Sequence, residues 1–254
     1  MPTPALSLYP VPGLPLIEAG CDLAALIIEH TQAANLTPEP GDVFVIAQKI
    51  VSKAENCFVD LRDIEPSHEA RLLAYSSEKD PRIAELILRQ SRAIVRDTPT
   101  VLITEHKLGI VLANAGIDRS NVDGHEDIVL TLPENPDQSA RELQTRLQDA
   151  FGVKLGVVIT DSVGRPWRMG TTGLAIGCAG TRVLDDRRGR VDLFGRVLQV
   201  AEVGTADCVA SAAGLLMGEG DESTPVVLIR GLETGDFDQP ATDIIRPEAE
   251  NLFK

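Results

Sequence analysis

The chain has 254 residues, 43% of them hydrophobic and 24% charged, with a net charge of −14 and a pI near 4.7. This is enough apolar material for the core of one or two domains, and the acidic balance argues against duplex DNA or RNA, whose phosphates need a basic face. Cys21, Cys57, Cys178 and Cys208, and His30, His68, His106 and His125, show no zinc or disulfide spacing, and no apolar run reaches the ~18 residues of a membrane span, so the chain reads as cytoplasmic.

Residues 8–17 are turn-rich and end in Pro12-Gly13-Leu14-Pro15-Leu16-Ile17. Asp22 is placed to cap a helix with Leu23, Leu26 and Ile27 on one face. Pro38-Glu39-Pro40-Gly41-Asp42 turns into the strand Val43-Phe44-Val45-Ile46-Ala47, and the cations of Gln48-Lys49-Ile50-Val51-Ser52-Lys53 follow it. Residues 66–92 read as two helices broken near Asp80-Pro81.

Strand-like runs follow at 101–104, 109–113 and 128–132. The clearest helix comes next, with Asn135 as cap, Pro136 at the first turn and Ala140, Leu143, Leu147 and Phe151 as an apolar stripe. A buried strand at 155–160 leads into Asp161-Ser162-Val163-Gly164-Arg165-Pro166-Trp167-Arg168-Met169-Gly170. Then come the glycines 170, 173, 177 and 180, read as marks of tight backbone packing, a helix near 205–217, and a core strand at 226–229. Hairpin-like strand pairs mixed with helices give an α+β fold: mixed and antiparallel sheets with flanking helices, without a marked domain boundary.

Neither a P-loop nor a Gly-x-Ser-x-Gly elbow is present. Three acidic loci each follow an apolar element: Asp118 with Asn121, Asp161 with Ser162, and Gly218-Glu219-Gly220-Asp221-Glu222. Asp and Ser oxygens suit Mg²⁺ or Mn²⁺, and acids at a helix C-terminus oppose its dipole unless a cation offsets them. Taken singly, each locus also reads as an Asx turn, a capping aspartate or a solvated loop. Arg165, Arg168, Arg187, Arg188, Arg190, Arg196 and Arg230 recur near turns, as an anion-binding set or as surface partners of nearby aspartates.

Together these segments resemble the coenzyme F420-0:L-glutamate ligase (γ-glutamyl ligase) family. The matching pieces are Gly13-Leu14-Pro15-Leu16-Ile17, residues 41–55, 113–121, 160–170 and Met217-Gly218-Glu219, in family order between about residues 11 and 231. Thr160-Asp161-Ser162-x-Gly164-Arg165-Pro166-Trp167-Arg168 is the most specific of them. The resemblance implies a GTP- and metal-dependent amide ligase that works as a homodimer. It would form an acyl phosphate on coenzyme F420-0 for attack by L-glutamate, with further γ-linked glutamates where the reaction continues.

Residue by residue, the resemblance makes Asp118, Asp161, Ser162 and Glu219 ligands of Mg²⁺ or Mn²⁺, a monovalent cation being a further candidate. It makes Leu14, Pro15, Leu16, Ile17, Gln48, Lys53 and Asn121, completed by Met217, Gly218, Glu219, Gly220, Asp221, Glu222 and Ser223, the GTP site. Asp118 and Asp161 would be catalytic, and Arg165 and Arg168, with Arg230, would take the coenzyme's acidic tail or the incoming glutamate. The family often has a histidine before the glycine at 109, where this chain has Lys107-Leu108, and some relatives add a reductase domain after the ligase, which is not expected here. A metal-dependent phosphohydrolase and a non-catalytic nucleotide-binding module are the other readings of the same acidic loci.

Overall fold

A computed structural model describes residues 5–232 and 235–251. In chain order the first half holds β1 (Ser7–Pro10), α1 (Leu23–Ala33), β2 (Val43–Ala47), α2 (Gln48–Ala54), β3 (Phe58–Asp60), α3 (His68–Ser77), α4 (Pro81–Gln90), β4 (Ser91–Thr98), β5 (Val101–His106) and β6 (Val111–Ala113). The second half holds β7 (Ile128–Leu130), α5 (Pro136–Phe151), β8 (Gly156–Arg165), β9 (Arg168–Ala179), β10 (Leu184–Asp186), β11 (Glu202–Gly204), α6 (Thr205–Met217) and β12 (Val226–Arg230). Among the described residues no helix is long and apolar enough to cross a membrane.

The main sheet has the order β1-β12-β2-β8-β9, with β2 and β8 parallel and the other pairs antiparallel. The unbroken apolar runs of β2 and β8 are explained by burial on both faces. Phe44, Ile46, Val157 and Ile159 enter one cluster with Ile27, Leu143 and Leu147 of α1 and α5. Val43, Val45 and Val158 enter the other, against Ala206, Val209, Ala210 and Ala213 of α6. Smaller sheets β4-β5-β6, β3-β7 and β10-β11 complete an α+β architecture. α4 packs Ile83, Leu86 and Ile87 against Leu102 of β5 and Val129 of β7.

Local chemistry sets the helix ends as expected. Asp22 accepts from Ala25 N (3.0 Å), Asn135 from Gln138 N (3.1 Å) and Asp80 from Arg82 N (2.8 Å), with Pro81 and Pro136 in the first turns. The glycines of β9 are sites of close approach. A Cβ on Gly173 would intrude on the Ala210 carbonyl of α6, and one on Gly177 on the Pro136 carbonyl of α5.

Two readings change. The start of the turn-rich stretch 8–17 is an edge strand, β1, which tolerates Pro10 because it terminates there with β12 as its neighbour. The strand read at 155–160 is longer: β8 runs on to Arg165 and returns as β9, making a hairpin whose outer half leaves the core.

Candidate active site

The parallel register pairs Ala47 with Thr160 at the carboxyl ends of β2 and β8. The next residues, Gln48 and Asp161, therefore emerge side by side, Gln48 opening α2 and Asp161 continuing β8. Asp118 arrives from a third direction. Its amide donates to Leu130 O (2.9 Å) and its carbonyl accepts from Leu130 N (3.0 Å), pinning the loop after β6 to β7.

At this junction Gln48 Nε2 donates to Asp118 Oδ2 (2.6 Å), and Gln48 Oε1 accepts from Ser52 Oγ (2.9 Å) one turn on. Lys49 Nζ lies 3.4 Å from Asp118 Oδ1. Burial raises the Asp118 pKa and Glu219 adds to the rise, while Lys49 and Gln48 oppose it. Asp161 is pushed up to about 7, first by burial and then by Asp118, against the Ser162 amide, which donates to its Oδ1 (2.8 Å), and Lys49 and Gln48. Two desolvated like charges thus face one another, an arrangement that a bound cation relieves.

The third acidic locus closes on the same place. Asn121 Nδ2 donates to Gly220 O (3.1 Å), and Thr171 Oγ1 of β9 donates to Glu219 Oε1 (3.1 Å). Gly218 ends α6 with a positive φ, and Gly220 N donates to Glu222 Oε2 (2.8 Å), coiling the loop on itself. Segments from residues 114–121, 161–171 and 217–223 therefore meet, although they are scattered through the sequence.

The family profile described as F420-0:Gamma-glutamyl ligase matches residues 13–231. The chain belongs to that family. It is 48% identical over 255 residues to the Coenzyme F420:L-glutamate ligase of Methanopyrus kandleri, covering 99% of this chain and 98% of that one. Identity to the protein of the same name from Methanothermobacter thermautotrophicus is 42% over 251 residues (98% and 99% covered), and to that from Archaeoglobus fulgidus 39% over 249 residues (98% and 96%).

For a γ-glutamyl ligase family member, the structure brings Asp118 and Asp161 together, with Glu219 close enough to act on Asp118 electrostatically. Among the described residues no three His, Cys, Asp or Glu side chains form a ready cation cage. The donor chemistry nevertheless fits a hard divalent cation, because the carboxylate pair needs a countercharge. Strand alternation sends the Ser162 side chain to the opposite face from Asp161, so its link to the pair is through its amide. Lys53 lies one turn beyond Lys49 on α2, 8% exposed; burial lowers its pKa, and Lys49 adds to this.

Other expected site residues lie further out. Leu14 and Ile17 pack on the core while Leu16 is 90% exposed, and this loop joins α2 through Gly20 N to Ala54 O (2.9 Å). Met217 is partly buried on the α6 side of the sheet, Asp221 is exposed, and Ser223 donates to Asp221 O (3.3 Å). Arg165 and Arg168 face each other at the exposed hairpin tip, with Arg165 Nη2 donating to Met169 O (3.3 Å). Arg230 belongs elsewhere: it binds Asp42 (2.7 Å) and Glu39 (2.7 Å) and donates to Thr37 O (2.8 Å), which uses its donors to close the β2 turn rather than to hold an acidic substrate. Sequence reasoning left Lys49 out of the site. Its signal was the one-turn spacing of Gln48, Lys49, Ser52 and Lys53 directly after a core strand.

Proposed function

We propose that the chain joins L-glutamate to coenzyme F420-0 in the biosynthesis of coenzyme F420, using GTP. The names of its relatives, which pair coenzyme F420 with L-glutamate, support the two substrates, and the convergence of Asp118, Asp161 and Glu219 with Gln48 and Lys49 carries the reading. GTP transfers its γ-phosphoryl group to the terminal carboxylate of F420-0. The α-amine of L-glutamate then attacks the acyl phosphate, an amide bond forms, and GDP and phosphate leave.

Asp118, Asp161 and Glu219 would hold Mg²⁺ or Mn²⁺, alone or with a monovalent cation, while the Ser162 amide steadies Asp161. When bound, such an ion would supply the positive charge that offsets the phosphate during transfer. Gln48 fixes the carboxylate of Asp118, and Lys49 supplies a fixed positive charge beside it. Lys53, recessed on the same helix, reaches phosphate as a point charge. Residues 14–17, Asn121 and 217–223 surround the guanine nucleotide, and Arg165 and Arg168 take the acidic end of the coenzyme or the incoming glutamate.

The protein acts as a homodimer in the cytoplasm. Supporting a dimer, Met169 (98% exposed), Leu193 (99%) and Phe194 (89%) offer apolar surface for a second copy. Sedimentation tests that part separately, and a monomer at micromolar concentration removes it.

Mass spectrometry of F420-0 incubated with the protein, L-glutamate, GTP and Mn²⁺ tests the reaction. Mass increments of one glutamyl unit that require every component are expected. GTP hydrolysis with unchanged F420-0 makes the centre a phosphohydrolase, and GTP binding without any product makes it a binding module.

A further inference from the structure

We infer that Lys49 is a built-in counterion of the empty acidic centre, and that a divalent cation loads by displacing its ammonium from Asp118. The inference rests on the reading of Asp118 and Asp161 as cation ligands, and adds how the centre is kept in balance before the cation arrives.

Two carboxylates that face one another away from water need a positive charge whether or not a metal is present. Lys49 brings one. Its Nζ lies 3.4 Å from Asp118 Oδ1, and its charge opposes the burial that raises the pKa of Asp118 and, behind it, of Asp161. The placement follows from the fold. The β2–β8 register sets Ala47 opposite Thr160, so the residues that open α2 emerge beside Asp161, and Lys49 is the second of them.

The two donors on Asp118 are held very differently. Gln48 Nε2 meets Oδ2 at 2.6 Å, and the same side chain is 2% exposed and takes the Ser52 hydroxyl at 2.9 Å on its oxygen. It is clamped at both ends. The Lys49 side chain is 31% exposed and stands at 3.4 Å, beyond the roughly 2.7–2.9 Å of a charge-assisted hydrogen bond. An ammonium on a flexible four-carbon stem, with water at hand to hydrate it, is released at little cost. Oδ2 is therefore the fixed oxygen of Asp118, and Oδ1 is the one that can change partners.

A divalent ion reaches a carboxylate oxygen at about 2.0–2.6 Å, well inside the distance at which the ammonium now stands. With Oδ2 engaged by Gln48, the ion competes for Oδ1, and two like charges that close together repel. The charge that Lys49 fixes beside Asp118 is thus the charge of the empty centre. Lys53, one turn further along α2 and 8% exposed, is recessed and already feels the repulsion of Lys49 on top of its own burial. It serves as the control.

Isothermal titration of the full chain with Mn²⁺, without nucleotide, tests the exchange, together with thermal unfolding of the empty and Mn²⁺-loaded forms. Lys49→Met keeps the stem and removes the charge, and Lys49→Gln repeats the test with a polar side chain. Both should bind Mn²⁺ roughly fivefold more tightly, the equivalent of a half-exposed ion pair. Lys49→Arg, which keeps the charge, should bind no more tightly than the unsubstituted chain, and Lys53→Met should gain much less than Lys49→Met. Lys49→Met should melt below the unsubstituted chain when empty and level with it when loaded, because a displaced ammonium contributes nothing to the loaded form. Unchanged affinity in Lys49→Met and Lys49→Gln, an equal gain in Lys53→Met, or a loaded Lys49→Met that melts above the loaded unsubstituted chain overturns the exchange and leaves the cation site standing. No saturable Mn²⁺ binding in any of the chains overturns the cation site, and the exchange falls with it.

Discussion

Gln48 and Asp118 stand 70 positions apart, yet Gln48 Nε2 sits 2.6 Å from Asp118 Oδ2. The bond is directional in its chemistry. The amide oxygen of Gln48 accepts from Ser52 Oγ, so its nitrogen must face the carboxylate. Gln48 is 2% exposed and has little freedom to adopt another rotamer.

Gln48→Glu should therefore lower ligation by roughly 10- to 100-fold, the usual consequence of disturbing a residue that orients a metal-binding carboxylate. It exchanges a donor for a third negative charge beside Asp118 and Asp161. Steady-state kinetics at several Mn²⁺ concentrations check this, and an unchanged rate with unchanged metal dependence shows that the bond has no part in turnover.

Asp161→Asn should abolish glutamyl transfer while leaving the melting temperature level or higher, because it removes one of two like charges that burial already penalises. Calorimetry alongside the mass assay separates loss of chemistry from loss of fold. Retained activity would remove Asp161 from the mechanism.

Gly177→Ala should destabilise the protein by about 3 kcal/mol, since the added methyl meets the Pro136 backbone carbonyl, which cannot swing aside as a flexible side chain does. Gly164, where the space is open, is the control, and its alanine variant should change little. Equal denaturation midpoints for the two variants contradict the close approach of α5 to β9.

Arg230→Ala should cost about 3 kcal/mol, because Asp42, 1% exposed, then keeps a buried charge without its partner. The double variant with Asp42→Asn should recover part of that loss. Urea unfolding measures both, and additive losses deny the pairing.

His106 gives a pH dependence of defined sign. Burial, with Lys107 and Arg92, lowers its pKa to about 4, and its Nδ1 accepts from Leu108 N (3.0 Å), so the folded ring is neutral. Below its ordinary value near 6.5 the unfolded chain takes up a proton that the folded chain refuses. The contribution, up to about 3 kcal/mol, is complete above pH 6.5 and is lost as pH falls towards 4. His106→Gln should flatten that part of the stability profile, and an unchanged slope shows that other groups produce it.

Elements with a local cause were legible in the sequence: the Asp80-Pro81 break, the Asn135 cap and the apolar runs of β2, β8 and β12. β1, β3, β10 and β11 were not, because three- and four-residue strands exist only through partners far along the chain. β4 was hidden by Arg92, Arg96 and Asp97, which read as surface and do lie on a largely exposed strand. Within the candidate site, the acidic loci were visible individually. Their meeting was not, because it depends on the β2–β8 register and on the Asp118–Leu130 bridge, neither of which has a local signature.

The β8–β9 hairpin is buried at one end only. Its root, near Asp161, is continuous with strands buried on both faces, while its tip carries Arg165, Trp167 and Arg168 out of the core. Tip and root thus stand in different surroundings, one open to solvent and the other set in the core. Sequence changes at the tip can therefore alter what is gripped there while the carboxylate geometry at the root is inherited unchanged, so the two are free to evolve separately.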